Sequence, residues 1–256
     1  MSFPHSPVRA EPSAVAADLP LVDFHEHLLP QRSAEDLILL MEEAGIRRMV
    51  LMPVGVGSNL ATDEQALAYA RQFPGRFIPF VRLMSPVIQG RRGQRERWLH
   101  PDGPALDFLR QVEDKLKTGR FYGMGELIAR HYGYTNTDGG EVPEFDNSVD
   151  SPLVHKLAEL AERYHVVIDI HAEGEPALVE AMGRVLAAHP GATIVWAHNC
   201  GRSSASTLRE VLQRYPNLLC DLGGMAGTFG YVNGKDRVPS PGRPSSRTAR
   251  GTCFPR

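Results

Sequence analysis

The sequence predicts an α/β fold, a TIM-like (β/α) barrel in which seven strands are recognisable and the eighth is missing. Along the 256 residues, short apolar runs alternate with amphipathic ones. Such alternation is typical of parallel strands joined by right-handed helical crossovers. Seven strands in succession favour a barrel over a doubly wound sheet, and no glycine-rich phosphate loop follows the first strand, which counts against a dinucleotide-binding fold.

The seven predicted strands are short segments rich in Val, Ile, Leu and aromatic residues. In chain order they are LVDFHEHL from Leu21, RRMVLMPVG from Arg47, RFIPFVRL from Arg76, FYGMGELI from Phe121, HVVIDIHA from His165, TIVWAHNC from Thr193 and NLLCDLGG from Asn217. No comparable run follows the seventh strand.

Helix start and stop signals lie between these strands. Ser33 is a candidate N-cap of the first helix and Gly45 its stop, and Thr62 with Gln65 forms a capping pattern for the second. Prolines fall in the first turn of later helices, at Pro104, Pro152 and Pro176. The sequence therefore predicts one helix after nearly every strand.

Two connections are long, residues 85–103 after the third strand and 129–150 after the fourth. Both follow strand C-termini, the face of a barrel where sites are built, so we expect them to be functional, with disordered insertions as the alternative. Trp98, Tyr132 and Tyr134 would line an apolar pocket there or pack on the barrel rim.

The chain divides into a loose N-terminal leader (1–20), a barrel domain (21–237) and a tail (238–256). The leader lacks the continuous apolar stretch of a signal peptide. The tail is rich in Pro, Arg and Ser and has little apolar patterning, so it is predicted to be disordered or translated out of frame. We hypothesise a frame change near Val238 or a truncated gene, with a native flexible tail as the alternative.

Composition excludes several classes of partner. A net charge of −2 gives no sign of a nucleic-acid or membrane partner, and no apolar run is long enough to span a bilayer. The three cysteines are widely spaced, which predicts neither a disulfide framework nor a zinc knuckle. We expect a cytoplasmic protein with a small-molecule substrate and leave homo-oligomerisation open.

Residues with metal-binding side chains fall near the C-terminal ends of four predicted strands. His25 and His27 are two apart, so in an extended strand they share a face. Glu126, His171 and His198 lie near the ends of the fourth, fifth and sixth strands. In a closed barrel those ends meet at one mouth, which brings all five together.

Five buried polar groups need a shared partner, because an unsatisfied buried polar group costs about 2–7 kcal/mol. A divalent cation is the simplest such partner. Taken singly, each has a structural explanation: a strand histidine is usually a hydrogen-bonded core or rim residue, and Glu126 could pair with Arg130 or Arg82. The five in register favour a metal site.

These motifs resemble the amidohydrolase superfamily, and within it the amidohydrolase-related branch. VDFHEHL resembles its first-strand D-x-H-x-H, and VVIDIHAEGE and TIVWAHNCG resemble its fifth- and sixth-strand histidine motifs. GMGELI resembles the fourth-strand motif of relatives in which Glu is a ligand. The resemblance covers residues 21–224 and implies a divalent metal, usually zinc.

The resemblance also implies roles for these residues. His25, His27 and His171 would bind the metal, His198 would bind a second metal or orient the substrate or water, and Glu126 would bridge or complete a binuclear site. His198 and Glu126 are thus also the catalytic candidates. The family's strand-eight Asp has no counterpart after residue 224, and the nearby substitutes are poor: Asp221, expected mid-strand below the mouth, and Asp236, in a loop.

Three functions follow as alternatives. The first is a metal-dependent hydrolase that uses metal-activated water on an amide, ester or lactone bond. The second is a metal-dependent decarboxylase of an aromatic acid. The third is a truncated, catalytically impaired metal-binding protein. Arg82 and Arg202 could hold an anionic substrate, with surface ion pairs as the alternative, and Cys200 is expected to be a small buried apolar residue rather than a nucleophile.

Overall fold

The computed structural model describes residues 20–55, 60–89, 94–135 and 141–223, and the short strands 231–232 and 236–237. The predicted leader (1–20) therefore lies almost entirely outside the described residues, and most of the tail does as well. The predicted domain boundaries and the frame-change hypothesis remain predictions. None of the described helices is both long and apolar enough to cross a bilayer.

Seven of the described strands form the main sheet, and the others are short strands of two residues each. In chain order they are β1 (Leu21–Leu28), β2 (Ile46–Pro53), β3 (Phe77–Arg82), β4 (Gly123–Ile128), β5 (Arg130–His131), β6 (Tyr134–Thr135), β7 (Glu141–Val142), β8 (Phe145–Asp146), β9 (Val167–His171), β10 (Thr193–Trp196), β11 (Leu218–Cys220), β12 (Tyr231–Val232) and β13 (Asp236–Arg237).

The helices alternate with the strands as predicted. They are α1 (Ala34–Ala44), α2 (Asp63–Gln72), α3 (Gln94–Leu99), α4 (Gly103–Leu116), α5 (Pro152–Tyr164), α6 (Pro176–Ala188), α7 (Ala197–Arg202) and α8 (Ala205–Arg214). Among them, α7 is not a regular right-handed α-helix, because most of its residues have left-handed dihedral angles.

Seven strands form one parallel sheet in the order β1-β2-β3-β4-β9-β10-β11. The sheet curls until its two edge strands approach: the side chain of His25 on β1 contacts Asp221, the residue after β11, at 3.0 Å. This is the arrangement expected of a barrel with seven recognised strands. The prediction for an eighth strand concerns residues beyond 223, most of which are not described.

The predicted helix signals are present. The Ser33 hydroxyl accepts from the Asp36 amide at 3.1 Å, and Gly45 ends α1 in the left-handed region. The Thr62 hydroxyl likewise accepts from the Gln65 amide at 3.1 Å. These local bonds satisfy amides that the first turn of a helix leaves free, which fixes where each helix begins.

The core lies between the curled sheet and the surrounding helices. Its largest cluster joins β3, β4, β9 and β10 to the apolar faces of α4, α5 and α6, and a second joins β1 and β2 to α1 and α2. Burial of these apolar faces holds the strands in place, so the strand ends meet on a rigid frame.

The two long connections contain structure that the sequence did not predict. The first carries α3, whose Trp98 is fully buried and donates its indole N–H to the Ile88 carbonyl at 2.5 Å. The second forms two small antiparallel pairs, β5 with β8 and β6 with β7. Of the two alternatives for Trp98, packing against the barrel is the one observed.

The cysteines, for which the sequence predicted no disulfide framework, form one disulfide bond among the described residues. Cys200, after β10, and Cys220, at the end of β11, are joined by a disulfide bond. Spacing in the sequence gave no signal, because the two residues become neighbours only when β10 and β11 pair. Cys200 is fully buried, as predicted, but as half of a cross-link.

Candidate metal centre

The carboxylate of Glu126 lies at the centre of four imidazole rings. His171 Nδ1 donates to its Oε1 at 2.9 Å and His27 Nε2 donates to its Oε2 at 3.0 Å. The Nε2 atoms of His198 and His25 lie 3.4 and 3.5 Å from Oε1. The structure therefore brings together all five residues that the sequence proposed as metal ligands.

Irregular backbone at two strands orients the candidate ligands that those strands carry. β1 has a register shift against β2 between Asp23 and Glu26, and β4 has one against β9 between Met124 and Leu127. Each shift places an extra residue on the strand that carries His25 or Glu126. Such bulges re-aim side chains and are common beside active sites.

His198 is not on a strand, contrary to the expectation that it closes the sixth one. β10 ends at Trp196, and residues 198–202 all have φ between 53° and 71°. This left-handed turn directs the His198 ring inward, where its Nε2 lies 3.0 Å from His171 Nδ1. Non-glycine residues pay for this conformation, so a run of them is unusual and points to a functional constraint.

The four imidazoles of the centre differ in their exposure to solvent. The His27 side chain is 38% exposed, whereas those of His25, His171 and His198 are at most 10% exposed. Among these four rings, His27 is therefore the one most accessible to solvent.

The charge of Glu126 is set by its neighbours. Complete burial alone would raise the pKa of its carboxyl, but the charges of His25 and His171 and the histidine hydrogen bonds hold that pKa well below its ordinary value. Burial opposes the charged form of His25 as well, yet Glu126 and Asp221 raise the pKa of His25 to about 10. Glu126 is thus an ionised carboxylate.

Two other histidines at the centre are held neutral. Burial, together with the charges of neighbouring histidines, lowers the pKa of His198. Burial and the charge of His171 lower the pKa of His131 to about 4. The β5–β8 pair brings His131 to the edge of the centre, where its ring centroid lies 5.1 Å from that of His171.

Sequence reasoning missed two carboxylates of the centre, Asp169 and Glu173. Both share the alternating pattern of β9 with His171, in D-I-H-A-E, and that spacing of two was the available signal. Asp169 Oδ2 lies 3.8 Å from His25 Nδ1, and burial raises the pKa of Asp169 well above its ordinary value. Glu173 Oε1 lies 3.5 Å from His171 Nε2.

The unsatisfied atoms of the centre fit a divalent cation. Among the described residues, His25 Nε2, His171 Nε2 and both oxygens of Asp169 are buried without a hydrogen-bond partner. Three overlapping sets of ligand atoms lie within 4.8 Å of one another: His25, His27 and Glu126; His25, His198 and Asp221; and Glu126, His171 and His198. Unsatisfied nitrogen and oxygen donors so close together are of the kind that a divalent cation binds.

The two arginines proposed as substrate contacts both have protein partners. Arg202 donates to both carboxylate oxygens of Glu173, at 3.1 and 3.2 Å, so it faces the centre through Glu173. Arg82 donates to the Gly55 carbonyl at 3.2 Å and lines a cavity with Asp63 and Lys115 between α2 and α4. Their role in substrate binding remains a prediction.

Asp221 lies closer to the mouth than the sequence suggested. β11 ends at Cys220, so Asp221 is the first residue beyond the strand rather than mid-strand. Its Oδ2 accepts from His25 Nδ1 at 3.0 Å. The other substitute considered, Asp236, starts β13, which pairs only with β12 among the described strands.

The sequence matches the amidohydrolase family over residues 22–248. The chain belongs to the amidohydrolase family. The family predicted from the strand-end motifs is thus confirmed, and with it an amidohydrolase-type metal-dependent enzyme. No curated protein shows significant sequence similarity to this amidohydrolase.

One solved structure with a TM-score above 0.5 shares its fold, and others are more distantly similar. An uncharacterised TIM-barrel protein from Bordetella bronchiseptica is 16% identical, with a TM-score of 0.51 over 80% of this chain and 75% of that one. An amidohydrolase from Burkholderia multivorans is 12% identical, with a TM-score of 0.46 over 80% and 70%. A manganese-bound dihydroxybenzoic acid decarboxylase from Polaromonas is 13% identical, with a TM-score of 0.43 over 76% and 68%. The first of these confirms the barrel fold class of this amidohydrolase.

Proposed function

We propose that this amidohydrolase hydrolyses an amide, ester or lactone bond of a small molecule at a zinc site built around Glu126. The observation that supports the proposal is the convergence of four imidazoles on one buried carboxylate, with one nitrogen of each ring within 3.5 Å of a Glu126 oxygen. Histidine, glutamate and aspartate donors suit zinc, whereas magnesium and calcium sites use oxygen ligands.

His25, His27, Glu126 and His171 are the residues that would hold the metal. When bound, the metal supplies a water nucleophile at neutral pH and polarises the carbonyl of the substrate. Together with His198 they make five candidate ligands, which is enough to bind either one or two ions. The ionised state of Glu126 suits it to binding a cation or to bridging two.

His198 is the residue we assign to proton handling or substrate orientation. Its Nδ1 donates to the Gly223 carbonyl at 2.8 Å, and its lowered pKa keeps the ring neutral. The Nε2 atom therefore carries a lone pair that can accept a proton or a hydrogen bond. His131, also neutral, is the second ring that could contact a substrate.

Location and assembly stay proposals. The sequence favours the cytoplasm, whereas the Cys200–Cys220 disulfide is the observation against it, because such bonds are rare in reducing compartments. A small-molecule substrate is consistent with a centre in which, among the four imidazoles described, three are buried and His27 is partly exposed. Homo-oligomerisation is left open.

Metal analysis with ligand variants tests the proposal. We expect one or two divalent ions per purified chain. The double variant His25→Ala/His27→Ala should lose nearly all of this bound metal. The matched control is His155→Ala/His189→Ala, which removes two other contacting histidines, with ring nitrogens 2.8 Å apart and no described contact with Glu126. Full metal content in the first variant would remove the site.

A substrate panel separates the three functions. Hydrolysis of amides, esters or lactones that is at least 10³-fold slower in Glu126→Gln supports the hydrolase. Release of carbon dioxide from hydroxybenzoate-type acids, with no hydrolysis, would replace it with the decarboxylase. Bound metal without turnover of either panel would indicate the impaired metal-binding protein.

A further inference from the structure

The segment Asp221–Gly223 contacts two of the candidate ligands, His25 and His198, and in each ring the atom contacted is Nδ1. His25 Nδ1 lies 3.0 Å from Asp221 Oδ2, and His198 Nδ1 lies 2.8 Å from the Gly223 carbonyl oxygen. Carbonyl and ionised carboxylate oxygens only accept hydrogen bonds, so both Nδ1 atoms must carry the hydrogen. The Nε2 atoms of both rings are left facing Glu126.

The second oxygen of Asp221 is also occupied. Its Oδ1 accepts from the backbone amides of His198 at 3.0 Å and Gly223 at 2.8 Å. With two backbone amides on Oδ1 and the His25 ring on Oδ2, both oxygens of Asp221 accept hydrogen bonds, as the oxygens of a carboxylate do. One side chain thus joins β1, the turn after β10 and the segment after β11.

The backbone of Asp221 also helps to hold the left-handed turn. Its carbonyl accepts from the Asn199 amide at 2.7 Å, and the adjacent disulfide joins the turn to β11. A left-handed conformation costs about 1–2 kcal/mol for each non-glycine residue, so the turn persists only where its surroundings fix it. Asp221 provides part of that constraint, because its side chain accepts from the His198 amide and its backbone carbonyl accepts from the Asn199 amide.

We propose that Asp221 is a positioning residue, which sets the hydrogen on Nδ1 of His25 and holds the turn that carries His198. The inference rests on the proposed function. A partner on the outer ring nitrogen fixes the orientation and basicity of a metal-binding histidine, and removing such a partner typically costs 10–100-fold in metal affinity. The spacing of motifs could not show this, because Asp221 comes from the opposite edge of the sheet.

The test is the zinc affinity of Asp221→Asn, measured by competition with a chromophoric chelator. The Asn oxygen can still accept from the two backbone amides, which places its NH₂ group against His25 Nδ1. That contact forces the His25 hydrogen onto Nε2, the atom that faces Glu126. We expect zinc to bind 10–100-fold more weakly, with the melting temperature of the metal-free protein changed far less.

Asp150→Asn is the matched control, because Asp150 Oδ1 accepts from His155 Nε2 at 2.9 Å in an Asp–His pair away from Glu126. It should change zinc affinity less than twofold. Asp221→Asn that binds zinc within twofold of the wild type would overturn the inference. A wild type that binds no zinc would instead overturn the proposed function, so the two failures are distinguishable.

A second measurement serves if Asp221→Asn does not fold. ¹⁵N NMR of the zinc-loaded wild type reports which ring nitrogen of His25 carries a hydrogen. We expect an Nδ1–H signal and a metal-bound Nε2. The reverse assignment would overturn the role of Asp221.

Discussion

Glu26 and Glu126 are both buried carboxylates, and their surroundings shift their pKa values in opposite directions. Glu26 alternates with His25 and His27 on β1 and points to the other face, where burial, together with the charge of Asp23, raises its pKa to about 8. Glu126 has four histidines around it, which lower its pKa. The same side chain is therefore a neutral packing residue at one position and an anion at the other.

Glu26 should make the stability of the protein depend on pH. Its folded pKa of about 8 exceeds its ordinary value of 4.5, so its contribution to stability is complete below pH 4.5 and is lost as the pH rises through 8. Glu26→Gln, which stays neutral, should remove up to about 3 kcal/mol of the loss between pH 6 and pH 9, because two pH units at about 1.4 kcal/mol each separate pH 6 from the folded pKa. Urea unfolding at pH 6 and pH 9 measures it.

Glu43→Gln is the control for this prediction, because Glu43 is an exposed residue on α1. It should leave the difference in unfolding free energy between pH 6 and pH 9 unchanged. An equal pH dependence in the wild type and in Glu26→Gln would contradict the assignment.

At the scale of elements, three irregular segments build the centre on a regular frame. Bulges in β1 and β4 re-aim His25 and Glu126, and the left-handed turn after β10 presents His198. Regular strand ends alone would leave His198 two residues beyond the strand with no fixed direction. The geometry of the site thus depends on local backbone that departs from ideal strands.

Gly201 is the position where that turn has least room. Its φ is +71°, and a Cβ there would lie 2.4 Å from the Ala172 carbonyl oxygen and 2.5 Å from the Gly174 amide. Because both contacts are backbone, Gly201→Ala should lower the unfolding free energy by about 2 kcal/mol or more and weaken metal binding as His198 moves. Gly103→Ala, where a Cβ meets nothing within 4 Å, is the control.

Chemical denaturation and metal titration of both glycine variants check this prediction. A Gly201→Ala protein as stable as Gly103→Ala, with unchanged metal affinity, would show that the turn is not constrained as described.

Much of the fold was predictable from the sequence, because strand alternation and helix caps are local. His25 and His27 could be placed on one face of β1 for the same reason, and Glu126 and His171 could be placed at strand ends. The contact of Asp221 with His25 and the Cys200–Cys220 bond could not, because each joins residues from different strands. The position of Asp169, two residues before His171, indicated that the two share a face of β9. Nothing else in the sequence distinguished it from an ordinary strand residue.

At the scale of the whole molecule, the curl of the sheet is what makes a site. Parallel strands collect their C-terminal ends at one face, and curling brings the ends of β1 and β11 together although no backbone pairing joins them among the described strands. Side chains from β1, β4, β9, the turn after β10 and the segment after β11 then surround one volume. The family match is consistent with this barrel frame.

The most direct test is anomalous X-ray diffraction from crystals of the protein grown with zinc, recorded at the zinc absorption edge. The account predicts a strong peak about 2.0–2.2 Å from Glu126 and from at least two of His25, His27, His171 and His198. A zinc-replete crystal with no peak among these residues, or with its main peak elsewhere on the chain, would contradict it.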